Sequence, residues 1–242
     1  MTAALCFRDV SKRFQTAQGP IDALHGLSLD VPVDRFTALV GPSGCGKSTL
    51  LHIAAGLDTD FDGEFVLPAG SGRRAYVFQQ PRLLPWLTAL QNVEFLLRAR
   101  GRSPEQAAST ARHYLGLVGL GGFEDRFPGQ LSGGMQQRVA LARALAIDPD
   151  VILMDEPFAA LDELTARRLR AELLRLYDAS PRTVLFVTHN ATEAAFLADH
   201  VIVMSSRPGS AVADIPVELP RPREYDDAAV AAVARTIVSH LQ

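Results

Sequence analysis

FTALVGPSGCGKST, Phe36 to Thr49, passes from an apolar run through a glycine-rich turn to a lysine and the start of a helix. Phe36 to Val40 is a short apolar run ending at Gly41 and reads as a buried strand. Gly41, Gly46, Lys47 and Ser48 then fit the phosphate-binding loop pattern. Its glycines let backbone N–H groups turn toward phosphate oxygens, and the dipole of the following helix adds partial positive charge. Lys47 reaches the β- and γ-phosphates, and the Ser48 hydroxyl is placed to ligate Mg²⁺. Pro42, Ser43, Gly44, Cys45 and Thr49 complete the loop. Ser48 to Leu57 reads as a helix that Gly56 weakens near its end.

VILMDE, Val151 to Glu156, is a second buried strand, ending in two acids. Charged residues directly after such a strand lie at its carboxyl edge, where open α/β sheets place ligands. Asp155 can hold Mg²⁺, directly or through a water, and Glu156 can polarise an attacking water. A pair of solvated loop acids is the alternative. His189 follows the strand Thr183 to Thr188 and can contact a γ-phosphate while holding the water and Glu156 in place; an ordinary polar cap is the alternative. The other five histidines carry no such setting. Gln79 closes the strand Ala75 to Phe78 at the same edge, where it can ligate Mg²⁺ or the water.

LSGGMQQR, Leu131 to Arg138, is a second anion-binding feature. Ser132 offers a hydroxyl, Gly133 and Gly134 offer bare N–H groups, and MQQRVALARAL reads as a helix behind them. It has no lysine-bearing loop of its own, so it reads as serving the nucleotide of another chain.

Around these motifs the texture alternates. Leu5, Phe7 and Val10, then Leu27, Leu29 and Val31, show period-two spacing, as in an antiparallel sheet with one wet face, with QTAQGP (15–20) as the loop between. From Pro81 to Pro149 the chain is rich in Leu, Ala and Arg, with helices expected over Asn92–Arg100 and Pro104–Leu117 and breaks at GLGG and PGQ. This stretch reads as a helical insertion in an α/β core. Leu164–Tyr177 is an amphipathic helix carrying Leu169, Leu173 and Leu176 on one stripe. Ala191–Leu197 reads as a helix and Val201–Met204 as a strand. Pro216–Pro222 sets off a final Ala/Val helix. Strands alternating with helices imply βαβ units.

The 242 residues are 48% hydrophobic and 21% charged, ordinary globular values. A net charge of −3 gives no reason to expect nucleic acid as a partner. Two cysteines, Cys6 and Cys45, are too few for a disulfide framework and suggest a reducing compartment. No apolar run approaches the roughly 18 residues of a membrane span, and the first residues lack the apolar stretch of a signal peptide. The expectation is a soluble or peripheral protein of the cytosol.

Taken in order, these motifs resemble those of the nucleotide-binding subunits of ABC transporters. GPSGCGKST is similar to the Walker A loop, VILMDE to the Walker B strand and LSGGMQQR to the signature. Gln79 is similar to the Q-loop glutamine, Ala160-Leu161-Asp162 to the D-loop and His189 to the H-loop. Phe14, in VSKRF, stands where the family usually has a tyrosine that stacks on adenine, and its ring keeps that face; core packing is the alternative.

The resemblance implies one ABC ATPase domain over residues 1–242. Residues of about 1–80 and 150–242 form a P-loop NTPase (RecA-like) α/β core with an N-terminal antiparallel β subdomain, and about 81–149 an inserted helical subdomain. It also implies a head-to-tail homodimer closing over two ATP molecules, each with Mg²⁺, in which Ser132, Gly133 and Gly134 act in trans and Glu156 is the general base. Integral membrane permease subunits would be driven by that motion at the cytoplasmic face of the inner membrane. A periplasmic or lipoprotein solute-binding protein would take part indirectly.

LLPWLTALQNV (83–93) and SSRPG (205–209) look like bacterial importers of the nitrate, sulfonate and taurine group. There Leu83, Leu84 and Trp86 would lie near the groove for the permease's coupling helix; for Trp86 a buried core ring is the alternative. Asn190 stands where Asp is usual and Met135 where many signatures have Gln; neither removes a catalytic group. The ATPase subunit of an exporter or of another small-molecule importer is the main competing reading, with a soluble repair or translation ATPase behind it. A P-loop kinase would leave LSGGMQQR without a role.

Overall fold

The computed structural model describes residues 3–17, 19–67 and 72–241. Its chain begins with a long antiparallel hairpin, β1 (Ala3–Thr16) and β2 (Gly19–Pro32), with Leu5 opposite Val31 and Phe7 opposite Leu29. The expected loop at 15–20 is mostly strand, since Gln15 pairs with Pro20 and Thr16 with Gly19. Ladder hydrogen bonds run through polar residues as readily as apolar ones, so only positions 17 and 18 separate the strands; position 18 lies outside the described residues.

β3 (Phe36–Val40) leads into the glycine-rich loop and α1 (Lys47–Ala55). Gly56 ends the helix with φ 73°, a left-handed cap that glycine adopts without strain. β4 (Asp62–Val66) then adds to the free side of β1 and completes a three-stranded sheet. It has no period-two signal because, as an edge strand, it buries little beyond Phe65, which packs on Phe7 with ring centroids 4.9 Å apart.

The remaining strands are β5 (Arg74–Val77), β6 (Val151–Asp155), β7 (Thr183–Thr188), β8 (His200–Met204) and β9 (Ala211–Pro216). With β3 they form a six-stranded sheet in the order β5-β6-β7-β3-β8-β9, parallel except for the edge strand β9. Each inner strand feeds two cores. Phe36, Ala38 and Val40 of β3, Ile152 and Met154 of β6, and Val184 and Phe186 of β7 face the helices. Leu39, Val151, Leu153, Leu185 and Val187 face α1 and the hairpin sheet. This double burial explains the unbroken apolar runs, and a fully buried Leu, Val or Phe contributes roughly 1.5–3 kcal/mol.

α2 (Ala89–Ala99), α3 (Pro104–Leu117) and α4 (Gly133–Ala146) sit together between β5 and β6 in sequence. α5 (Glu163–Ala179), α6 (Ala191–Leu197) and α7 (Ala228–Ser239) complete the helices. α2 begins three residues before the expected Asn92, because Thr88 and Gln91 form a reciprocal cap there. Asn92 is fully buried inside it. Its side chain accepts from the Leu84 N–H at 2.8 Å and donates to the carbonyls of Leu84, Leu87 and Thr88 at 3.2, 3.0 and 3.0 Å. The segment after Gln79 is thus wound onto α2. Asn92→Ala strands several buried backbone groups at once and is expected to cost about 3 kcal/mol, read from the urea midpoint; a loss under about 0.5 kcal/mol would contradict that role.

Candidate functional site

Parallel pairing places the carboxyl ends of β3, β5, β6 and β7 along one edge of the sheet. A cleft of about 560 Å³ opens there. Ser43, Gly44, Gly46, Lys47, Ser48 and Thr49 line it from the loop. Gln79, Glu156 and His189 line it from three other strand ends, and Phe14 from the hairpin. Gly41, Pro42 and Cys45 shape the loop from behind: the Lys47 ammonium, 6% exposed, donates to the carbonyls of Gly41 and Pro42 at 2.7 and 2.8 Å. The loop approaches the hairpin so closely that any side chain at Gly46, where φ is 98°, would strike Leu24 and the Ala23 carbonyl. Glycine is required there by space as well as by conformation.

Glu156 is set by its backbone. It adopts φ 44° and donates its N–H to the Val187 carbonyl at 3.0 Å, a geometry that costs a non-glycine residue roughly 1–3 kcal/mol. Its Oε1 lies 3.2 Å from His189 Nδ1, and its Oε2 accepts from Gln79 Nε2 at 3.4 Å. The carboxylate is therefore bracketed by the two other strand-end residues.

His189 in turn stands on a buried support. Thr188 Oγ1 donates to Glu193 at 2.6 Å, and Glu193 accepts from Arg170 Nη2 at 2.8 Å. Asn190 caps α6 by accepting from the N–H groups of Thr192 and Glu193 at 2.9 and 3.1 Å, work that Asp and Asn do equally well.

Asp155 ends β6 and is 6% exposed. Burial raises its carboxyl above the usual range, hydrogen bonding from Ser48 opposes that, and the neighbouring Glu156 adds to it. A buried carboxylate beside a hydroxyl, with the amide oxygen of Gln79 at the same edge, is an all-oxygen donor set. It fits Mg²⁺, which binds through one or two protein oxygens and completes its shell with waters and phosphates. Among the described residues no cluster of three His, Cys, Asp or Glu forms a cage for another metal.

Phe14 is 40% exposed, not packed in the core, and the Lys12 ammonium sits 5.1 Å from its ring centroid. Lys12 is itself buried and paired with Asp58 at 2.9 Å, so the cation behind the ring is fixed.

The signature residues are elsewhere. Ser132, Gly133 and Gly134 are not among the residues lining the cleft. Ser132 caps α4, accepting from the Met135 N–H at 3.2 Å, and its helix start is open to solvent at Ser132 and Gly133. Gly134 lies against Leu161, and Asp162 caps α5 by accepting from the Thr165 N–H at 3.0 Å. The rest of the signature is structural: Gln136 donates to the carbonyls of Pro128 and Leu131, and buried Gln137 donates to Phe78.

One feature escaped the sequence reading. Arg207 lines the cleft, although SSRPG carried no chemical signal of its own. Trp86 is 69% exposed, which removes the core-ring alternative; Phe95, Phe123 and Phe127 are also exposed.

The family model for ABC transporters matches residues 24–159, more than half of the chain. The nitrate import ATP-binding protein of Synechocystis is 43% identical over 89% of this chain and 83% of its own length. The aliphatic sulfonates import ATP-binding protein of Bacillus cereus is 37% identical over 97% and 94%. Among solved structures, a dimeric ATP-binding cassette in a post-hydrolysis state, bound to ADP and Pi, superposes with a TM-score of 0.81. It is 33% identical, and the match covers 89% of this chain and all of that one. A glycine-rich loop and three strand-end residues sharing one cleft are thus met by matching sequence and architecture, and the chain belongs to the ABC transporter family.

Proposed function

We propose that this chain is the ATP-hydrolysing subunit of an importer, working as a homodimer against integral membrane permease subunits. One observation carries the reading: the groups suited to a nucleoside triphosphate are divided. The loop, Gln79, Glu156 and His189 share a cleft, while the helix start at Ser132–Gly134 lies outside it, open to solvent at Ser132 and Gly133. A second copy turned head to tail brings its helix start over the first copy's cleft, and two complete sites result. The whole of 1–242 acts as one unit, with about 81–149 carrying the signature and about 1–80 and 150–242 carrying the cleft.

Within each site Phe14 stacks on adenine, the loop N–H groups hold the phosphates and Lys47 reaches the γ-phosphate. Ser48, Asp155 and Gln79 hold Mg²⁺, which when bound neutralises charge on the phosphate oxygens. Glu156 takes a proton from the attacking water; His189 and Gln79, both within 3.4 Å of its carboxylate, fix its direction. Ser132 and the N–H groups of Gly133 and Gly134 from the second copy meet the γ-phosphate, and its departure removes what joins the copies.

No helix among the described residues is long and apolar enough to cross a membrane. Attachment at the cytoplasmic face of the inner membrane therefore runs through the permease. Leu87, Phe95 and Ala99, with Gln91, Glu94 and Arg98, line a groove of about 370 Å³ on α2, and the exposed Trp86 directly precedes Leu87 in the chain; together they offer a surface suited to a helix of the membrane subunit. Relatives named for the import of aliphatic sulfonates and of nitrate support a small anionic solute of that kind, taurine included; a periplasmic or lipoprotein binding protein would deliver it.

Lys47→Ala should abolish tight ATP binding, measured by titration calorimetry; unchanged affinity would overturn the role of the loop. Glu156→Gln should bind ATP, lose at least ~100-fold in turnover and accumulate as an ATP-bound dimer in light scattering. Turnover within about threefold of wild type would remove Glu156 as base. Ser132→Arg should hydrolyse poorly while its monomer still binds ATP. Mixed with Lys47→Ala it should regain activity, because a mixed pair holds one intact composite site; no gain over the separate variants would contradict the division in trans. Trp86→Ser should leave turnover of the isolated chain within about twofold, as an exposed substitution does to stability, yet prevent co-purification with co-expressed membrane subunits. Retained co-purification would place the docking surface elsewhere.

A further inference from the structure

Arg207 lines the nucleotide cleft, and nothing in the proposed reaction uses it. It sits at the tip of the turn between β8 and β9, and that turn is tightly tied. Ser205 donates its N–H to the Ser210 carbonyl at 2.9 Å, and Ser210 returns its N–H to Ser205 Oγ at 3.0 Å. Gly209 donates to the Ala23 carbonyl of the hairpin at 3.0 Å. Its Cα passes so near the Cys45 carbonyl of the phosphate loop that no side chain fits there. The turn is thus wedged against both the loop and the hairpin.

From it Arg207 reaches back, and its Nε donates to the Gly44 carbonyl at 3.0 Å. Among the described residues, neither Nη1 nor Nη2 has a hydrogen-bond or ion-pair partner, and the side chain is exposed. Beside Lys47 it is the other permanently cationic side chain of the cleft lining. A guanidinium is a rigid fork of donors matched to phosphate oxygens. Because Nε is already anchored, ordering the remaining donors costs little further entropy.

We propose that Arg207 is a nucleotide-contacting residue whose two Nη groups donate to phosphate oxygens of the bound triphosphate from the hairpin side of the loop. This rests on the reading of the cleft as an ATP site. The alternative is a strut that only supports the loop through Gly44.

Affinities for ATP, ADP and adenosine, by competition against a fluorescent ATP analogue at low and high salt, separate the two. Arg207→Gln is expected to weaken ATP and ADP about tenfold, to change adenosine less than about twofold and to flatten the salt dependence; Arg207→Lys should recover part of the loss. In turnover, KM should rise about tenfold with kcat within about twofold, the pattern of lost ground-state binding. The melting temperature of the nucleotide-free chain should stay as in wild type. Equal weakening of all three ligands, or a lowered melting temperature with no preference for phosphates, would make Arg207 a strut and overturn the proposal. Wild-type affinities in Arg207→Gln, with Lys47→Ala unable to bind, would overturn it alone. A wild-type chain that binds no ATP would overturn the cleft reading and this proposal together.

Discussion

The parallel register of β3 between β7 and β8, and of β6 between β5 and β7, is the constraint from which the site follows. Val40 lies opposite Thr188, and Asp155 opposite Val187. Once these ends are level, the next few residues of each strand must emerge side by side at one edge. The glycine-rich loop, Gln79, Glu156 and His189 are those next residues. Burial of both sheet faces fixes the register, since a slip by one residue would exchange the two apolar cores. The cleft is therefore held in place by Leu and Val residues that never touch it.

That dependence explains what was legible in sequence. Strands buried on both faces announce themselves as apolar runs, and a polar residue ending such a run stands out. The loop, VILMDE and His189 were read this way, and so was the α/β architecture with its antiparallel hairpin and helical insertion. Two edge strands were not: β4 and β9 leave most of their residues wet, so neither alternation nor an apolar run marks them, whereas the edge strands β2 and β5 bury alternate residues and were legible. The hairpin tip at 15–20 was misread for the converse reason, because Gly19 and Pro20 look like a turn although backbone pairing continues through them.

Arg207 shows a different limit. Its place beside Gly44 depends on a contact across 163 residues, made because Gly209 lacks a side chain. A local reading of SSRPG contains neither the loop nor the hairpin against which the turn is wedged. Asn92 is similar in kind: its spacing alone suggested the start of a helix, while its four hydrogen bonds depend on how 84–88 winds back over it.

The helical insertion is coupled to the cleft by named bonds rather than by proximity. Gln137 on α4 donates to the Phe78 carbonyl at 3.0 Å, directly before Gln79. Arg143, two turns on, donates to the carbonyls of Pro81 and Arg82, both at 3.0 Å. The segment carrying Gln79 is therefore fastened along the same helix whose first turn presents Ser132. On the proposed reading, a shift of Gln79 with the state of its own nucleotide is passed to α4, and so to the signature that serves the other copy's nucleotide. Packed helices move as bodies rather than bend locally, so such a shift reaches Ser132 largely undiminished. The same segment runs on through Trp86 into α2, the proposed permease surface. On that reading one short stretch of chain, 78–92, meets the cleft, the signature helix and the proposed permease groove, the connectivity a nucleotide-driven transport motor requires.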